Sequence, residues 1–289
     1  VPGIPWTVGD CFTGPLLDGL DDSTVDGFLQ IVRHVARRRR AVEISFRSNP
    51  DAGVHQALVS GLRRQEARVV LTPEPAQAIV DVAGRSVHEV AAAFRRDARA
   101  SLRKGQAAPT EVRAALTEAE VRGAYGAFAS SAERKGFDDL RPWAALGPAI
   151  TECLDRDLGA VYVTVSDETV VAAIFVSFVG SEAEYLHGGF HVEHADLYPN
   201  HVLHLAALSE AVDRGLAAYN MGQLGFGEHS ESVNEFKRSL RAEPRLMQST
   251  LHWQIHPGRA FVLRQVRSKP WARALRRRVR ALIVKRFEG

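Results

Sequence analysis

AVYVTVSDETVVAAIFVSFVGSEAEYLHGGF, Ala160 to Phe190, is the stretch on which the fold turns. Three runs rich in β-branched and aromatic residues, Ala160 to Val165, Val170 to Phe178 and Ala183 to Phe190, are broken by Asp167-Glu168 and Gly180-Ser181. Strand formers bounded by short turn signals predict an antiparallel meander. Beyond it, a Pro near the first turn and Gly215 just past the end predict a helix from about Pro199 to Arg214. A short strand at Ala217 to Met221, a Gly-rich loop, a helix near Ser232 to Leu240 and a strand at Leu246 to Ile255 follow. This order of elements is that of an α/β (α+β) protein.

Upstream, residues 24 to 39 predict a helix, with Ser23 or Thr24 near its cap and Val25, Phe28, Leu29, Val32 and Val35 at helical spacing. It ends in Arg37 to Arg40, cations that complement a helix dipole. Ala41-Val-Glu-Ile-Ser-Phe46 alternates as a strand does, and Arg68 to Thr72 and Ala78 to Val82 follow with a Pro-containing turn between them. Val87 to Lys104 and Glu118 to Arg134 predict two helices around a breaker region at Gly105 and Pro109.

The chain has 289 residues, 45% hydrophobic and 25% charged, which excludes wholesale disorder and a fibrous architecture. No apolar run reaches the ~18 residues of a membrane span, and the N-terminal residues show no secretory pattern. Two cysteines, Cys11 and Cys153, make neither a disulfide framework nor a thiolate metal site. The expectation is a soluble, monomeric, cytoplasmic protein. Charge is unevenly distributed: from Pro244 to Phe287 there are twelve Lys or Arg and no acid. From Arg273 onward, Leu275, Val279, Leu282, Ile283 and Phe287 share one helical face, flanked by Arg276, Arg277 and Arg280. RNA is the partner this tail predicts first. An anionic membrane surface and packing against the acidic body of the chain remain open.

Phosphate-loop, dinucleotide and nucleophile-elbow motifs are absent, so nucleotide hydrolysis and hydride transfer lose support. Histidines gather at His187, His191, His194, His201 and His204, without the spacing of a helical metal pair. They predict a polar cleft or surface positions, and no metal site. Tyr219-Asn-Met-Gly-Gln-Leu-Gly-Phe-Gly227 puts three glycines directly after a predicted strand, where backbone turns tightly or approaches a ligand. In the next helix Val233, Phe236 and Leu240 share one face with Lys237 beside it. By residue type alone Lys237 reads as a solvated charge.

From Tyr198 to His256 the chain resembles the second half of the FemABX aminoacyl-tRNA-dependent transferases: a helix, then YNMGQLGFG, SVNEFKRSL and LMQSTLHWQI. Phe236-Lys237 is the most specific match. FRRDARASLRKG, from Phe94 to Gly105, is similar to the basic helix of that family, and LTEAEVRGAYGAFASSAERKG to the segment after it. The resemblance implies two Gcn5-related N-acyltransferase-like domains, each a mixed, mostly antiparallel sheet flanked by helices. We expect residues 1–115 as the first, 116–257 as the second with the Phe-Lys motif, and 258–289 as a basic helical tail.

The resemblance also implies an enzyme that moves an amino acid from aminoacyl-tRNA to the amine of a peptide acceptor, with no cofactor besides that co-substrate. The acceptor would be a peptide-antibiotic intermediate or a peptidoglycan stem peptide. Lys237 would meet charge developing at the ester and Phe236 would position it. Tyr185, His187, Tyr198, His201 and Asn220 would line the acceptor site, and Arg99, Arg103 and Lys104 would contact tRNA. Two departures stand out: there is no coiled-coil arm, and residues 179–213 contain no Lys or Arg. Members that hold a diphosphate-linked precursor carry a cation there. A smaller acceptor or a carrier-bound peptide follows.

Two other classes stay open. A coenzyme-A-dependent N-acyltransferase needs a Gly-rich turn entering the helix after the meander, and His194-Ala-Asp-Leu-Tyr-Pro-Asn-His201 contains no glycine. A non-catalytic RNA-binding protein would keep the fold and lose the chemistry. The base that takes the amine proton stays open among His187, His191, His201, His204, water and substrate oxygens.

Overall fold

Side chains along Ala160–Phe190 alternate between two faces of a sheet, and both faces are covered, which is why the strands read as near-continuous apolar runs. The computed structural model describes residues 7–11, 20–47, 52–136, 140–225 and 228–268. In chain order they form β1 (Thr7–Cys11), α1 (Asp22–Arg38), β2 (Ala41–Phe46), α2 (Ala52–Arg64), β3 (Val69–Thr72), β4 (Gln77–Asp81), α3 (Val87–Ala93), α4 (Arg96–Ala107), β5 (Glu111–Ala114) and α5 (Glu118–Lys135). Then come α6 (Trp143–Asp155), β6 (Gly159–Ser166), β7 (Thr169–Val179), β8 (Glu182–Phe190), a 3-10 turn at Val192–Leu197, α7 (Pro199–Asp213), β9 (Ala218–Gln223), α8 (Glu228–Ser239), β10 (Glu243–Arg245), β11 (Thr250–Gln254) and α9 (Pro257–Ser268).

The chain divides into two compact units, Val1–Pro75 with Leu246–Gly289, and Ala76–Arg245. These bounds differ from the expected 1–115 and 116–257. Strand β11 inserts between β2 and β3, antiparallel to both, so residues after 245 belong with the N-terminal sheet. That pairing joins residues some two hundred positions apart, and no local periodicity reports it. The first unit has the order β1-β2-β11-β3, with Leu29 of α1, Leu58 and Leu62 of α2 and Trp253 of β11 in its core. The expected tail begins as α9; Arg276, Arg277 and Arg280 lie outside the described residues.

In the second unit the order is β10-β4-β9-β8-β7-β6-β5, antiparallel except for β8 and β9. The predicted meander is β6-β7-β8. Val161, Val163, Ala173 and Phe175 pack under α5 and α6 on one face, whereas Ala172, Ile174 and Val176 pack under α3, α4 and α7 on the other. Capping boxes at Ser86–Glu89 and Thr117–Glu120 start α3 and α5, satisfying amides that would otherwise lack partners. Two local expectations shift. Asp21, not Ser23 or Thr24, caps α1 by accepting both of their backbone N–H groups. The helix expected over Val87 to Lys104 breaks at Phe94, which turns extended, buries its ring, and lets the Arg95 N–H donate to the Ser239 carbonyl at 2.8 Å.

Candidate functional site

Parallel strands β8 and β9 pair only over Glu182–Glu184 and Ala218–Asn220 and then part. Two backbone irregularities shape what opens there. In β8 the register with β7 passes from Val176–Tyr185 to Phe175–His187, leaving Leu186 as a bulge. Bulges re-aim side chains and end pairing. In β9, Gly222 has φ +77, a conformation glycine adopts without a Cβ penalty, and the Asn220 side-chain oxygen accepts the Gly222 N–H at 2.9 Å. The strand thereby bends immediately before Gln223.

A cavity of about 330 Å³ lies at this opening, walled by α5, β8, the end of β9 and α8. Helix α5 sits so close to β8 that a Cβ on Gly189 would collide with the Ala127 carbonyl oxygen. Ser131 fastens the contact, accepting the Phe190 N–H at 3.0 Å and donating to its carbonyl at 3.3 Å. Across the cavity, Asn234 of α8 clamps the loop after β9: its oxygen accepts the Gly225 N–H and its amide donates to the Gly225 carbonyl.

Lys237 is 6% exposed and lines this cavity. Its Nζ donates to the Gln223 carbonyl at 2.7 Å. Burial, followed by repulsion from Lys135, lowers its pKa to about 8. A buried ammonium is costly, and a perturbed one in a concave site is a functional candidate. Phe236 packs against the core with its ring 5.2 Å from those of His201 and His204. His204 is fully buried against Tyr219, Nδ1 to hydroxyl 2.7 Å, and burial lowers its pKa to about 3, so its ring stays neutral.

The sequence-predicted acceptor residues separate. Tyr185 and His187 line the cavity, and burial raises the Tyr185 hydroxyl to about 12. Tyr198, His201 and Asn220 are not among its lining residues. Tyr198 accepts a hydrogen bond from Lys104 at 3.2 Å, His201 buttresses Phe236, and Asn220 builds the Gly222 turn while its amide donates to Gln77. The described tRNA candidates all lie on α4, where Arg103 is exposed and Arg99 donates to the Ala92 carbonyl.

Ser131, Lys135, Gln223, Ser230 and Asn234 also line the cavity, and no motif in the sequence marks them. Their signal is weak, because polar residues one turn apart, Ser131 and Lys135 on α5 and Ser230 and Asn234 on α8, look like any solvated helix face, and Gln223 is a lone polar residue at a strand end. Among the described residues no group of three or more His, Cys, Asp or Glu is placed to hold a metal, and no helix is long and apolar enough to cross a membrane. The described lining offers one deeply buried cation, hydroxyls, amides and an imidazole. Such a set has the chemistry to steady an oxyanion, and the described lining assembles no nucleophilic triad.

The sequence model described as Acetyltransferase (GNAT) domain matches residues 92–238. No curated protein matches the chain by sequence. Among solved structures, that of FemX superposes with a TM-score of 0.76 at 12% identity, covering 91% of this chain and 84% of FemX. The C-terminal domain of a protein named as a lysylphosphatidylglycerol synthetase, from Agrobacterium fabrum, gives 0.56 at 16% identity over 90% and 82%. L-PGS from Bacillus licheniformis gives 0.53 at 11% identity over 87% and 78%. At these identities the structures speak for a common fold. The family match spans just over half of the chain, and the protein belongs to the acetyltransferase (GNAT) domain family, with the Fem-like form of its fold.

Proposed function

We propose that this protein is an aminoacyltransferase that moves an amino acid from aminoacyl-tRNA to the amine of a peptide acceptor, forming an amide. The observation that carries the reading is the Lys237 ammonium, buried at the cavity wall and aimed by the Gln223 carbonyl. The Phe-Lys resemblance and the fold shared with FemX support it. So does the fold shared with a protein named for making a lysyl-bearing product.

An aminoacyl ester is already activated. The amine nitrogen attacks the ester carbonyl carbon, the C–N bond forms, the C–O bond to ribose breaks, and the amine proton ends on the departing ribose oxygen. Holding amine and ester in attack geometry removes roughly 7–11 kcal/mol of barrier. An ammonium facing the developing oxyanion, with water excluded, contributes about 3–4 kcal/mol more, by analogy with oxyanion-hole deletions. Neither contribution needs a covalent intermediate. Phe236, wedged against His201 and His204, keeps the lysine's helix turn in place. Tyr185 and His187 take the acceptor, and a cavity of about 330 Å³ suits an amine-bearing residue of a peptide-antibiotic intermediate or a peptidoglycan stem peptide. Arg99, Arg103 and Lys104 take tRNA phosphates, and the reaction belongs in the cytoplasm, where charged tRNA is found.

The acetyl-coenzyme A reading that the family description invites meets a difficulty at the entrance to α7. Pro199 occupies the first helical turn and has no N–H, while the amides of His194 and Tyr198 donate to the carbonyls of His191 and Ala195. These positions are thereby withdrawn from a pyrophosphate, which would have only the first-turn amides after Pro199 to bind. The test is to offer charged tRNA or acyl-coenzyme A with a panel of peptide amines. Amide formation abolished by ribonuclease supports the proposal. Product formed only from acyl-coenzyme A overturns it.

A further inference from the structure

From Gly27 to Arg40 the chain contains no acid and five arginines. Helix α1 buries Val25, Leu29 and Ala36. Its outer stripe, at spacings of three and four, is Ile31, His34, Val35 and Arg38. Ile31 is 66% exposed and Val35 50% exposed. His34, Val35, Arg38 and Arg39 line one shallow cleft, and Arg33, Arg37 and Arg68, with Glu66 as the one acid, line another, where the Arg33 guanidinium sits 5.1 Å from the Trp253 ring. Several other arginines meet carboxylates, as Arg64 meets Asp22 and Asp26, and Arg214 meets Asp157 and Glu210. Arg37, Arg38, Arg39 and Arg40 have no carboxylate partner among the described residues.

A helix dipole accounts for cations in the last turn. It does not account for two exposed aliphatic side chains set among them. We propose that this face of α1 docks on an anionic lipid surface. Ile31 and Val35 enter the boundary between headgroups and acyl chains, while the arginines take lipid phosphates. An RNA backbone would satisfy the arginines equally, but it would leave both aliphatic side chains in water. A bilayer satisfies both halves of the stripe.

The test is co-sedimentation of the full chain with phosphatidylcholine vesicles, with and without phosphatidylglycerol. Because the four substituted side chains are exposed, Ile31→Ser with Val35→Ser, and Arg38→Ala with Arg39→Ala, should fold normally, which circular dichroism checks. Phosphatidylglycerol should raise binding, with the arginine pair lowering it by roughly 5-fold per residue and the aliphatic pair by roughly 10-fold. Binding by both variants equal to that of the parent overturns the proposal, as does binding indifferent to phosphatidylglycerol. If charged tRNA displaces the vesicles and only the arginine pair weakens binding, the face is an RNA surface and the lipid assignment is wrong.

Discussion

The Nζ of Lys237 and the carbonyl of Gln223 lie 2.7 Å apart across the end of the splayed β8–β9 pair, joining α8 to the bent strand. Several measurable consequences rest on this contact and on the turns that create it.

Lys237→Met removes the cation and keeps most of the volume. If the ammonium serves the transition state, turnover falls about 10²–10³-fold. Because a lone buried charge is destabilising, the variant's melting temperature at neutral pH should be no lower than the parent's. A variant that loses activity together with its fold would mark the lysine as structural.

The same group gives stability and activity opposite pH trends. Its pKa is about 8 in the fold against 10.5 in an unconstrained lysine. Below about pH 8 both states hold the proton. Between about 8 and 10.5 only the unfolded chain does, so folding stability rises with pH across that window, by up to roughly 3 kcal/mol. Transfer should decline with a midpoint near pH 8 as the native ammonium is lost. Melting and rate profiles taken side by side check this, and the Met variant should show neither trend.

Acid acts through His204, whose pKa of about 3 lies below the ordinary 6.5 because of its burial. The unfolded chain takes up this proton between about pH 6.5 and 3, so its contribution is complete above 6.5 and is lost as pH falls. His204→Gln should flatten that part of the acid limb in urea titrations. Tyr219→Phe leaves the buried imidazole without its 2.7 Å partner and should cost about 1–3 kcal/mol.

Asn220→Ala strips the Gly222 N–H of its partner, while the Gln77 side-chain oxygen keeps its hydrogen bond from Arg245. A loss of about 1 kcal/mol is expected from the half-buried amide left unpaired. Since the turn aims Gln223 at Lys237, Asn220→Ala and Lys237→Met should be non-additive in turnover, with a coupling of about 0.5–3 kcal/mol in a double-mutant cycle. Strict additivity would separate the turn from the site.

Gly189→Ala places a methyl against the Ala127 backbone, which has no flexible end to yield. The α5–β8 contact must widen, at about 1–3 kcal/mol or more by analogy with overpacked cores. The shift should appear as a lower denaturant midpoint with an unchanged slope.

The meander was legible because Asp167-Glu168 and Gly180-Ser181 punctuate β-rich runs, and alternation is a local property of a strand. Helix α1 was legible for the same reason at its own period, and the Phe236-Lys237 pair was visible as a motif. Tertiary structure decided the rest. It returned Thr250–Gln254 to the N-terminal sheet, broke the helix at Phe94 to bury a ring, and turned Asn220 from an expected acceptor contact into the brace of a glycine turn. It also converted Lys237 from a charge that reads as solvated into a buried ammonium. Periodicity along a chain records which face of an element is apolar. Which distant carbonyl meets a given ammonium, and how dry the space around it is, depends on how sheets and helices close upon one another.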